Sequence, residues 1–167
     1  MEWIFSAFLV VSIIHMGEEY FYPGGFMDVM KRLSPKFAPL VNAPMAVIIN
    51  GLQLLLCIAA VVMGKKTLVF SLSVAGLLFI NGWMHIMGCV RAKGYAPGVI
   101  TGVFLYLPLS TYAYYLFISS NQLTLNGVIV TGILGLLYQA IPISYLAVAS
   151  AIHEHRQEKP LHSLQSH

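Results

Sequence analysis

Five apolar stretches, each about the length of one bilayer crossing, constrain this chain more than any other feature. They cover residues 3–22, 44–63, 67–90, 97–118 and 125–150. An α-helix rises 1.5 Å per residue, so about 20 residues cross a hydrocarbon core of roughly 30 Å. Strands of a transmembrane barrel would be shorter and would alternate apolar and polar residues. The pattern therefore predicts an all-α, polytopic transmembrane helical bundle of about five helices.

Charge is too scarce in this chain to cover a water-facing surface. Of the 167 residues, 58% are hydrophobic and 9% are charged, whereas soluble domains typically carry about 25% charged residues. No basic stripe interleaved with aromatic residues occurs, so nucleic-acid binding is not expected. We predict an integral protein of the bacterial cytoplasmic membrane, surrounded by membrane lipid. Residues 1–152 would form its transmembrane domain, and residues 153–167 a polar, mobile cytoplasmic tail.

The basic residues predict how the bundle is oriented. The N-terminus, the Lys65-Lys66 turn and the uncharged loop after Ser119 would share one side, with two Lys or Arg residues in total. The first loop, the loop with Arg91 and the tail would share the other side, with seven. Because basic loops stay in the cytoplasm, we predict the N-terminus outside and the C-terminus inside.

The first stretch cannot cross the membrane without its ionisable residues. Its part without ionisable residues, residues 3–14, would span only about 18 Å as a helix. His15, Glu18 and Glu19 are therefore expected inside the cytoplasmic half of the membrane. They share one helix face, because residues three and four apart are neighbours. Ionisable groups at this depth are costly, face the bundle interior and usually mark a functional site.

Polar residues of two other helices are predicted at the same depth as His15. The third helix runs inward, so His85 lies near its cytoplasmic end, one turn after Asn81. The second helix begins on the cytoplasmic side and carries Asn50 and Gln53 early. The alternating topology thus brings polar groups of three helices to one level and predicts a single site.

The residue types at this level suit a divalent metal ion or a proton relay. His15-Met16-Gly17-Glu18-Glu19 looks like the inverted zincin motif H-x-x-E-H with its last His replaced by Glu. By this analogy His15, Glu19 and His85 are predicted metal ligands, and Glu18 is the predicted general base or an additional ligand. Zinc is favoured, with a coordination position open for water, while a carboxylate ligand also suits iron or manganese.

Five further residues are predicted to act around the ligands or on a substrate. Asn50, Gln53 and Asn81 suit outer hydrogen bonds to ligands, or ordinary interhelical packing. Arg91 is first of all an orienting charge, and it also suits an ion pair with a glutamate or an anionic substrate group. Tyr95 opens the turn before the fourth stretch and is grouped with the same candidates.

These motifs, taken together, resemble a known family. The order His15-Met16-Gly17-Glu18-Glu19, then His85, then Tyr95-Ala96-Pro97-Gly98 is similar to the small bacterial and fungal membrane proteins named for an HXXEE motif. The resemblance covers about residues 14–98. It implies an integral membrane protein from a largely uncharacterised family that looks like a group of metal-dependent enzymes, and it implies no particular substrate.

We therefore predict a metal-dependent membrane enzyme that hydrolyses a lipidic or amphipathic substrate with metal-activated water near the cytoplasmic face. A transporter or proton pathway would use the same His and Glu residues as relay groups, although no inverted repeat supports it. A noncatalytic membrane scaffold is the third alternative. The oligomeric state is left open. Tail residues His153 and His155 are read as part of a solvated segment that binds metal only adventitiously.

Overall fold

The computed structural model describes residues 1–22 and 25–164, with side chains described as far as Ile152. Every regular element in these residues is helical, which confirms the all-α prediction. The helices are α1 (Trp3–Phe21), α2 (Gly25–Leu33), α3 (Ala43–Met63), α4 (Leu68–Ala92), α5 (Val99–Ser119) and α6 (Leu125–Leu164). Short 3₁₀ turns at Pro35–Phe37 and Gly64–Thr67 connect them, and α5 contains a wide π turn at Gly102–Tyr106.

Four stretches of these helices are long and apolar enough to cross a membrane. They are Trp3–Phe21, Ala43–Ala92, Val99–Ser119 and Leu125–Ile152. The second stretch has 50 residues and holds both α3 and α4. The Gly64–Thr67 turn reverses the chain inside it, and the Ser71 hydroxyl donates a hydrogen bond to the Gly64 carbonyl at 2.8 Å. Because α3 and α4 have 21 and 25 residues, this stretch holds two helices that are each long enough to cross, and the described residues contain the five long helices predicted.

The outward surface of the bundle is apolar. Val62, Phe104 and Leu125 are 77%, 72% and 74% exposed. Soluble monomers rarely expose contiguous apolar patches larger than a few hundred Å². A surface built from such residues is consistent with a membrane protein, and which membrane holds it stays a prediction.

Helix α4 lies at the centre of the bundle. All of residues 71–78 are buried, and α4 packs against α3, α5 and α6. At its crossing with α6 the two backbones touch, because a Cβ atom added to Gly135 would lie 2.5 Å from the carbonyl carbon of Gly76. Small residues permit this close approach. Van der Waals packing between the helices then stabilises the pair in lipid, where the hydrophobic effect between helices is lost.

The alternating topology is confirmed at the end of the bundle that holds the N-terminus. The Gln122 amide contacts the Met1 sulfur at 3.7 Å, and Lys65 Nζ lies 5.9 Å from the centre of the Phe117 ring. The N-terminus, the Lys65-Lys66 turn and the loop after Ser119 therefore share one end. Which end faces the cytoplasm stays a prediction.

The connection between the first two crossings contains a helix that the sequence pattern did not predict. Helix α2 is amphipathic: Val29 is buried, while Lys31 and Arg32 occupy the last turn. Met27 and Met30 pack against a small apolar cluster at the end of the bundle opposite the N-terminus. Helix α2 therefore covers the end where the polar residues of α1 and α4 lie.

The C-terminal segment continues helix α6. The backbone is helical through Leu164, so it includes most of the predicted tail, and residues 165–167 lie outside the described part. The mobility of the tail and the domain boundary at residue 152 stay predictions.

Candidate metal centre

Three ionisable side chains meet where α1 faces α4. His15 and Glu19 lie one turn apart on α1, His85 lies on α4, and all three are buried. The ring centres of the two histidines are 4.7 Å apart. His15 and His85 therefore lie at the same depth of the bundle, as the sequence predicted.

One oxygen of Glu19 faces both imidazoles. Glu19 Oε1 lies 3.6 Å from His15 Nε2 and 3.3 Å from His85 Nε2. One ligand atom from each of the three residues lies within 4.8 Å of the other two. Zinc bonds of 2.0–2.2 Å place tetrahedral ligand atoms roughly 3.4 Å apart. The donor set and its spacing thus fit a small divalent ion.

His15 Nε2 is the unusual atom of this group. It is buried and has no hydrogen-bond partner within the described residues. The 3.6 Å to Glu19 Oε1 is too long for a hydrogen bond. Buried polar atoms in proteins are nearly always paired, so an exception calls for an explanation such as a ligand position.

A chain of hydrogen bonds sets which nitrogen of His15 carries its proton. The Thr101 hydroxyl donates to Glu18 Oε2 at 2.6 Å, which uses its only proton. His15 Nδ1 lies 2.7 Å from Thr101 Oγ1 and must therefore be the donor in that pair. The lone pair remains on His15 Nε2, which is the nitrogen beside Glu19. Outer partners of this kind orient histidine ligands in metal sites.

The Glu18 carboxylate binds the start of α5. It accepts hydrogen bonds from the backbone N–H of Ile100 at 3.1 Å and of Thr101 at 2.8 Å, and also from the Tyr95 phenol. The first N–H groups of a helix favour an anion in this position. Burial, together with the Glu18 carboxylate, raises the pKa of the Tyr95 phenol above its usual range, so the phenol remains a donor at neutral pH. These contacts give Glu18 and Tyr95 a positioning role, and the general-base role of Glu18 stays a prediction.

The second oxygen of Glu19 has its own partner. Asn50 Nδ2 donates to Glu19 Oε2 at 3.1 Å and also lies 3.3 Å from the Tyr20 hydroxyl. This bond turns Glu19 Oε1 toward the two histidines. Asn50 therefore forms an outer hydrogen bond to a ligand candidate, which is one of the two roles predicted for it.

Gln53 acts on the site through a tyrosine. Its Nε2 donates to the Tyr106 hydroxyl at 2.7 Å, and the Tyr106 ring stacks on His15 with centres 4.3 Å apart. Tyr106 ends the π turn Gly102–Tyr106. Pro108 lies two residues after Tyr106, and a proline ring does not fit against the carbonyl four residues earlier in a regular helix. The widened turn, of a type frequent at functional sites, thus presents Tyr106 to His15.

Gly98 packs against both imidazoles and closes one side of the site. Its φ of +93° lies in the left-handed region, and an added Cβ would lie 2.4 Å from His85 Cε1 and 2.9 Å from His15 Cε1. No side chain fits at this position. The turn predicted as structural is therefore also a wall of the site.

In the residues whose side chains are described, two of the predicted residues form no hydrogen bond or ion pair with the three ligand candidates. Asn81 Nδ2 donates to Gln139 Oε1 at 3.5 Å, on α6. Arg91 is exposed and, in the residues whose side chains are described, forms no ion pair with Glu18 or Glu19. A substrate contact of Arg91 stays a prediction.

Thr101 and Tyr106 contact His15 but were not predicted from the sequence. Hydroxyl side chains within apolar helices are ordinary, and their role here depends on how the start of α5 packs against α1. The only sequence signal was the Pro97-Gly98 turn, which places that helix start near His85.

The site lies within the part of the chain that matches a known protein family. The sequence model of a family described as a protein of unknown function with HXXEE motif matches residues 6–113. This segment includes the three ligand candidates as well as Glu18 and Thr101. No curated protein and no solved structure matches the chain.

Proposed function

The chain belongs to the HXXEE-motif family, and we propose that it is a metal-dependent integral membrane enzyme. His15, Glu19 and His85 would hold one divalent ion, with zinc favoured and iron or manganese as alternatives. When bound, such an ion would supply Lewis acidity and lower the pKa of a coordinated water. The chain's own residues orient the ligands: Thr101 and Glu18 hold His15, and Asn50 holds Glu19.

The unpartnered His15 Nε2 is the observation that carries this proposal. If His15 and Glu19 only linked helices by hydrogen bonds, Nε2 would be expected to have a partner, because leaving such an atom unpaired costs about 1–3 kcal/mol. Instead its lone pair is directed by Thr101 to the place where Glu19 Oε1 and His85 Nε2 also point. A divalent ion satisfies all three atoms at once.

Hydrolysis is the reaction class that this donor set favours. Two histidines and one carboxylate leave a coordination position for water, as catalytic zinc sites do. The water oxygen would bond to the electrophilic atom of the substrate, the bond to the leaving group would break, and the leaving group would depart with a proton. A lipidic or amphipathic substrate suits a site enclosed by apolar helices near the predicted cytoplasmic face.

The first test is elemental analysis of the purified full chain and of four variants. We expect about one divalent ion per chain in the wild type, because the three residues form a single set of ligands. His15→Ala and His85→Ala should lose it, because each removes one of three ligands. His153→Ala and His155→Ala are matched controls for adventitious binding by histidine, and they should retain the ion.

Two results would overturn the metal centre. The first is a purified wild type that takes up no divalent ion even after dialysis against zinc, iron or manganese. The second is an ion content that His15→Ala and His85→Ala leave unchanged but that the tail variants abolish. If the ion is bound as expected, a screen of ester, amide and phosphoester amphiphiles with the His85→Ala variant as blank then tests hydrolysis.

A further inference from the structure

A cavity of about 530 Å³ adjoins the candidate metal centre. It lies between α2, α3, α4 and α6, and Glu19 and His85 form part of its wall. Its volume falls within the range of about 300–1,000 Å³ typical of small-molecule sites. The cavity therefore offers room for a ligand in direct contact with two of the three ligand candidates.

Most of the cavity wall is apolar. Leu52 and Leu56 of α3, Leu77 of α4 and Leu146 of α6 line it. Methionines 30, 45 and 84 lie among them. Unbranched methionine side chains adapt to irregular apolar partners. Such a wall suits a flexible hydrocarbon chain better than a rigid or polar molecule.

Several polar groups of the cavity lie near His85. Asn81, one turn earlier on α4, has a buried Oδ1 atom without a partner in the described residues. Its Nδ2 reaches Gln139, which also lines the cavity. An unpaired buried acceptor beside the metal centre suits a ligand head group that carries a hydroxyl or amide donor.

The cavity opens sideways between α3 and α6. Ile48 and Leu55 of α3 and Ile141 and Tyr145 of α6 line it, and each is more than half exposed. Both helices pack on α4, which forms the inner wall. Because the surrounding surface is apolar, a molecule would enter from the lipid phase and not from water.

We propose that this cavity binds a single-chain amphiphile, with its hydrocarbon tail between α3 and α6 and its polar head beside Asn81, His85 and Glu19. The proposal rests on the proposed function and names the substrate class of the same site. A whole two-chain phospholipid is larger than the cavity, so a fatty acid or a single-chain ester or amide is the chemistry that fits. The lateral opening admits the tail directly from one leaflet.

Photolabelling tests this proposal with the full chain in nanodiscs. The probe is a saturated fatty acid that carries a diazirine in its chain, and labelled peptides are mapped by mass spectrometry. We expect labels on cavity-lining residues of α3 and α6, and competition by unlabelled fatty acid but not by added phosphatidylcholine. Ile141→Trp places a bulky ring at the opening and should lower this labelling at least about fivefold.

Leu137→Trp is the matched control, because Leu137 is as exposed as Ile141 on the same helix, at 55%, but does not line the cavity. It should label like the wild type. Leu52→Trp closes the cavity from the α3 side and serves if Ile141→Trp does not fold. The proposal would be overturned if Ile141→Trp and Leu52→Trp both left the labelling unchanged. It would also be overturned if phosphatidylcholine suppressed the labelling as well as fatty acid does.

The His15→Ala variant separates this proposal from the metal centre. It should lose the ion and keep cavity labelling, because His15 is a ligand candidate that does not line the cavity. Labelling of the cavity in a wild type without any ion would leave the amphiphile site standing and defeat the metal proposal. A bound ion without cavity labelling would leave the metal proposal standing and defeat the amphiphile site.

Discussion

The two halves of the bundle are built on different principles. In the half near the N-terminus, Phe5 stacks on Phe117 with ring centres 5.8 Å apart and meets Phe8 edge-on at 6.0 Å. These rings, with Ile4 and Leu72, are almost completely buried. The opposite half encloses two histidines and a glutamate, with a ring nitrogen that has no hydrogen-bond partner among the described residues and with an adjoining cavity.

We interpret this difference as a division of the bundle into one half that contributes stability and one half that serves the proposed function. Close packing of aromatic side chains holds helices together in lipid, where burial alone contributes little. Buried ionisable groups and a cavity weaken packing, so they persist where a ligand uses them. Four substitutions follow from this comparison, ordered by their expected effect on metal binding.

His85→Ala should have the largest effect. Loss of an outer partner of a ligand raises the metal dissociation constant by at most about 100-fold. His85→Ala removes a ligand itself, so the dissociation constant should rise by more than that. Isothermal titration of the metal-free protein with zinc measures it, with His153→Ala as the control. An unchanged affinity would show that the polar half of the bundle does not bind metal.

Gly98→Ala should have the second largest effect, near the upper end of a roughly 10–100-fold loss of affinity. The new Cβ would lie 2.4 Å from His85 Cε1, so the imidazoles must shift. Gly94→Ala is the control, since an added Cβ there meets nothing nearer than 3.9 Å. The same titration applies, and equal affinities in the two variants would contradict the placement of Gly98 against the ligands.

Thr101→Val should weaken metal binding by about tenfold. Valine keeps the shape of threonine but removes the acceptor of His15 Nδ1 and a donor to Glu18. His15 then loses the bond that directs its Nε2 lone pair. Thr111→Val, an exposed position further along α5, is the control and should bind like the wild type. Zinc titration together with the NMR shifts of the His15 ring nitrogens would detect a change of tautomer, and an unchanged tautomer with full affinity would exclude the Thr101 link.

Phe8→Ala should have the smallest effect on metal binding and a large one on stability. It leaves a cavity in the aromatic core, which should lower the free energy of unfolding by about 3 kcal/mol, the low end for such a change because unfolded helices remain in an apolar phase. Unfolding in increasing fractions of dodecyl sulfate measures the loss. Metal affinity of the folded variant should stay within about twofold of the wild type. A tenfold loss of affinity would show that the two halves are coupled.

Much of the fold could be predicted because the lipid environment restricts the choices. Only closed hydrogen-bonded elements cross a bilayer, so the apolar stretches predicted the long helices to within a few residues, except that α6 continues to Leu164. The short apolar part of α1 predicted that His15 and Glu19 would be enclosed. Helix α2 was not predicted, because a nine-residue segment of mixed polarity is equally typical of a loop.

The partners of the site were harder to predict than its ionisable residues. Depth along each helix follows from topology, so His15 and His85 could be matched from the sequence. Rotation of the helices and the path of α5 do not follow from topology. For that reason Thr101, Tyr106 and the close approach of Gly98 emerged only in three dimensions, and Glu18 turned out to bind the start of α5.

Anomalous X-ray scattering from crystals of the full chain grown with cobalt(II) would test the metal centre most directly. A peak should lie within bonding distance, about 2.0–2.2 Å, of His15 Nε2, Glu19 Oε1 and His85 Nε2. It should be absent from crystals of His85→Ala. A peak found only at the tail histidines, or no peak in the wild type at saturating cobalt, would contradict a metal centre between α1 and α4.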